Sequence, residues 1–268
     1  VYSNIRTAIG GNTKYAVSGG APLGARLGHF YRGIGLMVLE GFGLTETTAP
    51  ILVNRLNRQK IGSVGLPLPG CAAKVSDDGV VLVKGVNVFE RYRDDPEATQ
   101  AAFEDGWFNT GDVGYLDEDG YLFITGRKKE LIVTASGKNV PPALLEDRLR
   151  GHPLVSQVVV VGDDRPFIGA LITLDDEMLP GWLANHGLKP MSVAEARTNP
   201  QVLASLERAI GKTNEAVSRA ESIRKFIVLE DDFTVVNGYL TPSLKVKRDL
   251  VLKELANKIE ELYQDDRQ

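Results

Sequence analysis

The sequence predicts a multidomain chain of the α/β and α+β classes: the edge of an α/β sheet with a small β subdomain, then a separate α+β domain. Three observations predict it. Residues 15–39 run strand, Gly-Gly turn, helix, strand, the order of an α/β edge. From Gly62 to Tyr121 short β-rich pieces alternate with Gly, Pro and Asp clusters, which suits a mostly antiparallel sheet. A second change of texture falls at Gly126-Arg127-Lys128-Lys129. With 268 residues there is room for two modest domains, expected at 1–127 (62–126 being the β-rich part) and 128–268.

Each element follows in order. Tyr15 to Ser18 is a β-type run entering the turn, Gly24 to Arg32 a helix, and Leu36 to Leu39 a buried strand. Ala73 to Ser76, Val80 to Lys84 and Val113 to Leu116 are the strands of the β-rich part. Leu131 to Thr134 is a strand. Ala143 to Arg150 is a helix opened by Pro141-Pro142, where proline is favourable because its missing N–H needs no partner. Strands follow at Val155 to Gly162 and Phe167 to Leu174. Next come a long polar helix over Gln201 to Arg219 and a strand from Arg224 to Leu229. One terminal helix starts near Arg248, with Leu250, Leu255, Ile259 and Leu262 at helical spacing.

Composition excludes several classes. Apolar residues make up 43% and charged residues 25%, an ordinary globular profile. A net charge of -4 offers no global attraction to nucleic acid. Cys71 is the one cysteine, so no internal disulfide forms, which fits a reducing compartment. His29, His152 and His186 lack metal-ligand spacing. No apolar run approaches the roughly 20 residues of a membrane helix, and the start has no signal-peptide character.

Five segments carry candidate chemistry, each with a plainer reading beside it. In Glu40 to Pro50 (EGFGLTETTAP), Gly41 and Gly43 let the backbone turn tightly and approach a ligand. Phe42 offers a stacking face, Thr45 a donor to phosphate, and Glu46 a hard oxygen ligand for Mg²⁺. The plainer reading is a strand-to-loop turn with a capping threonine. Ser18 to Leu23, through Gly19, Gly20, Ala21 and Pro22, is a turn that could pack its backbone on an adenine edge, or only a turn. Asp112, after Thr110-Gly111, could accept from two ribose hydroxyls or cap an Asx turn. Arg127 could donate in a fork to ribose or phosphate oxygens, while Lys128-Lys129 reads equally as solvated surface. Lys245, in a Gly-containing loop (NGYLTPSLKVKRD), is a mobile point charge for a phosphoryl transition state, or part of a surface basic patch. Gly211-Lys212-Thr213 is no phosphate loop, because Leu206 stands where the required glycine would be.

In this order and spacing the five segments resemble the ANL superfamily of adenylate-forming enzymes. GSVGLPLPG (62–70) and VLVKGVNVFERYRDDPEAT (81–99) fill the gaps as in that family, so the resemblance spans essentially the whole chain. The helical insert around Leu179 to Arg219 and the NGYLTPSLKVKR ending resemble the long-chain fatty-acyl-CoA synthetase branch most. The resemblance implies an acid–thiol ligase that uses ATP and Mg²⁺ to adenylate a fatty acid and then transfers the acyl group to coenzyme A. It implies that Ser18, Gly19, Gly20, Ala21, Pro22 and Phe42 line the adenine site, with Glu40, Gly41 and Gly43 in the same nucleotide-binding segment. Thr45 and Glu46 would meet the α-phosphate, the acyl carboxylate and Mg²⁺. Asp112 and Arg127 would hold the ribose, and Lys129 would be the hinge of a rotating small domain. Gly137 would flank the pantetheine tunnel, and Lys245 would bridge carboxylate and α-phosphate.

The superfamily's Ser/Thr/Gly-rich phosphate loop and most of its acyl pocket have no match here. The chain is therefore expected to be a carboxy-terminal fragment that lacks a complete active site. Two rivals stand beside the ligase reading: a fatty-acyl-AMP ligase that loads a carrier protein, and a non-catalytic fragment that keeps the fold. A nucleic-acid site on Lys245-Lys247-Arg248 has no interleaved aromatics to stack bases. Partners are expected to be small molecules, and the location cytoplasmic. Weak peripheral membrane association is compatible with lipid substrates, although no stretch has the character of a strong amphipathic anchor. The sequence assigns no oligomeric state.

Overall fold

The structure is a computed structural model and describes residues 2–264. The chain divides into two compact units, Val1–Lys129 and Glu130–Gln268, a boundary two residues beyond the change of texture at 127.

The first unit opens with helix α1 (Tyr2–Ala8). Strand β1 (Tyr15–Ser18), helix α2 (Ala25–Gly33) and strand β2 (Met37–Leu44) form a parallel crossover, with Ser18 opposite Glu40. β3 (Ala49–Val53) folds back antiparallel on β2, and β4 (Leu66–Pro67) closes a sheet of order β1-β2-β3-β4. A second sheet is antiparallel. It contains β5 (Cys71–Val75), β6 (Val80–Gly85), β7 (Phe103–Glu104), β8 (Trp107–Leu116) and β9 (Leu122–Arg127) in the order β5-β6-β8-β7, with β9 also on β8. Helix α3 (Pro96–Ala102) precedes β7; the Asp95 carboxylate caps it by accepting from the Ala98 amide, and Pro96 takes the first turn. The two sheets share one core: Ile51 and Leu52 of β3 pack with Val81, Val83, Phe108 and Leu122.

Two expectations change here. β2 does not end at Leu39 but runs on through Gly41, Phe42 and Gly43, which are strand residues and make no tight turn. Their glycines serve close strand packing instead. A Cβ on Gly43 would stand 2.0 Å from the Ala49 carbonyl oxygen, where β3 crosses. The turn comes later, at Thr45–Thr47, and is closed by Thr48 and Ala49 at φ 52° and 75°. β8 is also far longer than Val113 to Leu116. A kink at Thr110-Gly111, with Gly111 at φ 69°, shifts its register against β6, and the β signal of Trp107 to Asn109 is diluted by that polar stretch.

The second unit begins with the hairpin β10 (Ile132–Val133) and β11 (Asn139–Val140), then helix α4 (Pro142–Leu149). β12 (Val155–Val161), β13 (Ile168–Leu174) and, farther on, β14 (Ile223–Val228) make a three-stranded sheet with β13 central. Every residue of β13 is buried, which is why its sequence is apolar without alternation. Helices α5 (Leu179–Asn185), α6 (Val193–Ala196) and α7 (Pro200–Asn214) cover one face; Ser192 and Glu195 form a capping box on α6, and Asn199 caps α7. α7 stops at Asn214, short of the expected Arg219. The Asn214 side chain accepts from the Ile223 amide (2.9 Å) and donates to its carbonyl (3.0 Å), steering the chain into β14. The expected terminal helix is two, α8 (Arg248–Glu254) and α9 (Ala256–Gln264). Val251, Ile259, Leu262 and Tyr263 carry their burial against the other face of the sheet. No described helix is long and apolar enough to cross a membrane.

Candidate functional site

In the first unit the end of β1 and the length of β2 position the predicted nucleotide segment. Gly19 lies beside β2, where a Cβ would be 3.6 Å from the Gly41 carbonyl oxygen. Gly20 adopts φ 81° in open space, and Ala21 and Pro22 are exposed. Glu40 is buried, and its carboxylate accepts from the amides of Leu23 (3.0 Å) and Gly62. Burial pushes its pKa up, opposed by those two amides. Glu40 thus ties the 18–23 turn to β2 from inside the protein. Phe42 is half-buried against the shared core, opposite Leu52.

The Thr45–Thr47 turn is held by Thr47, whose buried hydroxyl accepts from the Leu44 amide at 2.8 Å and donates to the Ala49 carbonyl. Thr45 is exposed. Glu46 is half-buried, and its Oε1 accepts from the Tyr92 hydroxyl at 2.9 Å. Burial, then the neighbouring Glu46, pushes the Tyr92 pKa up. The Glu46 carbonyl accepts from the Phe89 amide at 2.7 Å. Asn87 Nδ2 donates to the Thr47 carbonyl at 2.7 Å, while its Oδ1 accepts from Cys71 Sγ at 3.1 Å. Sequence reading missed Asn87 and Tyr92: they lie 40 or more positions from the turn, and the only signal was their place inside the stretch 81–99.

Asp112 and Arg127 face each other directly across β8 and β9. Arg127 Nε stands 3.0 Å from Asp112 Oδ1; the carboxylate is buried and the guanidinium half-exposed. Thr110, whose hydroxyl donates to the Val81 carbonyl (2.8 Å) and accepts from the Asp112 amide (3.1 Å), shapes the kink that presents Asp112. A buried carboxylate beside a fork of donors suits a vicinal diol. Lys128 pairs with Asp78 at 2.7 Å, and that ion pair draws the Asp78 carboxyl down to about 2. Lys129 is exposed, in a single turn of 3₁₀ helix at the boundary of the units.

In the second unit Gly137 takes φ 76° in the β10–β11 turn, with open space where a Cβ would be. Lys245 is exposed at the end of the Gly-containing loop, in which Gly238 takes φ 84°, on a tight turn of its own. Its left-handed residue is Leu244 (φ 61°), and Thr241 closes it. The Thr241 amide donates to the Lys245 carbonyl (2.8 Å), and Thr241 Oγ1 accepts from the Lys245 amide (3.1 Å). Arg248 does not belong to a surface basic patch. It is largely buried, Nη1 lying 2.6 Å from Glu146 Oε1, with Nη2 on the Val160 carbonyl. A cleft of about 590 Å³ between α7, β14 and α9, lined by Ile210, Asn214, Arg224, Phe226 and Leu262, holds none of the candidate site residues.

The model of the AMP-binding enzyme family matches residues 4–93, and that of the AMP-binding enzyme C-terminal domain matches residues 129–267. The chain is 56% identical over 264 residues to the long-chain-fatty-acid–CoA ligase FadD15 of Mycobacterium bovis, covering 98% of this chain and 44% of that protein. It therefore spans less than half the length of that relative. Among solved structures, the A domain of a carboxylic acid reductase from Segniliparus rugosus, in complex with AMP and a co-purified carboxylic acid, is similar with a TM-score of 0.76. That match has 25% identity and covers 98% of this chain and 41% of that one. The o-succinylbenzoate CoA synthetase of Bacillus subtilis, in complex with ATP and magnesium ion, gives 0.68 at 27% identity, over 92% of this chain and 49% of that one.

Proposed function

Because the chain belongs to the AMP-binding enzyme family, whose C-terminal-domain model alone matches more than half of it, we propose that it serves an ATP-dependent long-chain fatty-acid–CoA ligase. The observation that carries the reading is the 56% identity, across nearly the whole chain, to a protein of that name. Glu46, the Asp112–Arg127 pair and Lys245 supply the chemistry such a reaction needs.

A carboxylate is a poor acyl donor. Its oxygen attacks the α-phosphorus of ATP, the bond to pyrophosphate breaks, and an acyl-adenylate results. The exposed Lys245 ammonium offsets charge growing on the phosphorus oxygens. Asp112 accepts from the ribose hydroxyls, with Arg127 holding the carboxylate in place. The CoA sulfur then attacks the acyl carbon, its proton goes to solvent, and AMP leaves. Gly137 keeps the β10–β11 turn free of a side chain on the route proposed for the thiol.

Magnesium fits the donors present. Glu46, between Thr45 and Thr47, is the hard oxygen ligand that would hold the ion, which when bound would supply neutralisation of phosphate charge.

The test joins this chain to the amino-terminal portion of the Mycobacterium relative and measures palmitate-dependent ATP–pyrophosphate exchange and palmitoyl-CoA formation. Both activities are expected, with exchange falling about a hundredfold or more in Lys245→Ala. No exchange in a folded sample, or exchange indifferent to Lys245→Ala, would overturn the reading. Acyl-AMP formation without transfer to CoA would point to a carrier-protein acceptor instead.

A further inference from the structure

The Thr45–Glu46 turn is gripped from one side by a single segment of the second sheet's connection, residues 87–92. Three different kinds of contact converge there. Asn87 Nδ2 donates to the Thr47 carbonyl at 2.7 Å and to the Pro50 carbonyl at 3.3 Å. The Phe89 amide donates to the Glu46 carbonyl at 2.7 Å. The Tyr92 hydroxyl donates to Glu46 Oε1 at 2.9 Å. The segment is itself anchored. Phe89 stacks on Phe103 (centroids 5.5 Å apart) and meets the Tyr92 ring at a 60° tilt (4.7 Å), and the Tyr92 amide donates to Thr99 Oγ1 at 2.9 Å.

We propose that Tyr92 is a positioning residue for Glu46. Its hydroxyl occupies Oε1 and fixes the carboxylate rotamer, so that Oε2 is presented to a divalent cation carried by a nucleotide. The physical case is that a glutamate in a short turn has three rotatable bonds, and a single ligand oxygen is useful only when those are held. A hydrogen bond from a neutral phenol holds the carboxylate without cancelling its charge, as a lysine in the same place would. Asn87 and the Phe89 amide hold the backbone on which that side chain stands. The proposal deepens the ligase reading in naming the cation and rests on it there; the grip on the turn stands independently.

The experiment reads amide hydrogen exchange on the 268-residue chain and, separately, Mg²⁺-dependent ATP binding on the chain joined to the amino-terminal portion of the Mycobacterium relative. Tyr92→Phe keeps the ring contact with Phe89 and removes the donor. The amides of Thr48 and Phe89, which donate to the Thr45 and Glu46 carbonyls, are expected to exchange several-fold faster in it, with the thermal midpoint unchanged. The Mg²⁺ concentration that half-saturates ATP binding should rise about tenfold, the scale of one charge-assisted hydrogen bond. Glu46→Gln retains an acceptor for Tyr92. It should leave both amides slow while abolishing the Mg²⁺ dependence. Unchanged exchange at Thr48 and Phe89 in Tyr92→Phe would overturn the positioning role. Changed exchange, with ATP binding that ignores Mg²⁺ in every variant, would leave Tyr92 in its role and overturn the cation reading.

Discussion

Gly43 and His152 sit in environments that can each be tested by one substitution. A Cβ on Gly43 would fall 2.0 Å from one backbone oxygen and 2.8 Å from the Pro50 Cα, both in β3 rather than in a side chain that could move. Gly43→Ala is therefore expected to cost at least about 3 kcal/mol, the upper range for overpacking. Chemical denaturation of the first unit would measure it, and a loss under about 1 kcal/mol would mean β3 can shift. His152 is a different case. Its Nδ1 accepts from the Leu154 amide (3.2 Å), so the neutral ring carries its proton on Nε2 and donates to Ser205 Oγ (3.0 Å). Burial first, then the Arg208 and His186 charges, hold its pKa below the usual 6.5. The sign follows: as pH falls below 6.5 the unfolded chain takes up a proton that the folded chain refuses. Stability contributed by the neutral ring is whole above 6.5 and drains away as pH falls towards the folded value. Denaturation at pH 7.5 and 5 should show a loss that is smaller in His152→Gln; an equal loss would place the titration elsewhere.

At the scale of elements, the turn that carries Lys245 is the one to probe. Residues 241–245 close on the Thr241 hydroxyl and amide, flanked by the antiparallel bridge between Leu240 and Val246. Lys245 is thus held at its backbone while its side chain is free to extend. Thr241→Val keeps the shape and deletes the acceptor of the Lys245 amide. Stability should change by less than about 1 kcal/mol, since the group is exposed. Acyl-adenylate formation should fall several-fold, and ATP–pyrophosphate exchange beside a melting curve separates the two effects. Exchange unaffected by Thr241→Val would show that the lysine needs no defined turn. The pair Arg248–Glu146 works at the same scale for structure alone. Glu146 Oε1 also accepts from the Val160 amide at 2.8 Å, so α4, β12 and the start of α8 meet at one buried carboxylate.

At the scale of the whole molecule, the two units have their own cores. The two buried clusters of the second unit draw only on residues between Ile132 and Tyr263, and they enclose both faces of its three-stranded sheet. Residues 130–268 expressed alone are expected to unfold in a single cooperative transition. Circular dichroism on heating would show it, whereas a broad, non-cooperative melt would mean this unit depends on the first. The first unit presents a less finished edge: Tyr15 and Val17 of β1 are 53% and 68% exposed.

The sequence by itself determined the α/β order at its start, the antiparallel β subdomain, the second α+β unit, and which residues were candidates for the chemistry. Those features are written in local signals: periodicity, proline and glycine placement, and short motifs whose residues sit side by side. Thr45, Glu46, Arg127 and Lys245 were singled out as candidates because each lies within such a motif. What only the tertiary structure decided is how distant positions meet. That Gly41 and Gly43 extend a strand follows from β3 crossing them. That α7 ends at Asn214 follows from a bond to Ile223. That Arg248 is an internal cation follows from Glu146, 102 positions earlier. That Glu46 answers to Tyr92 follows from a contact spanning 46 positions. The reason is physical: backbone preference is set by near neighbours, whereas burial and hydrogen-bond pairing are set by whatever the fold brings within a few ångströms, and no local pattern encodes that partner.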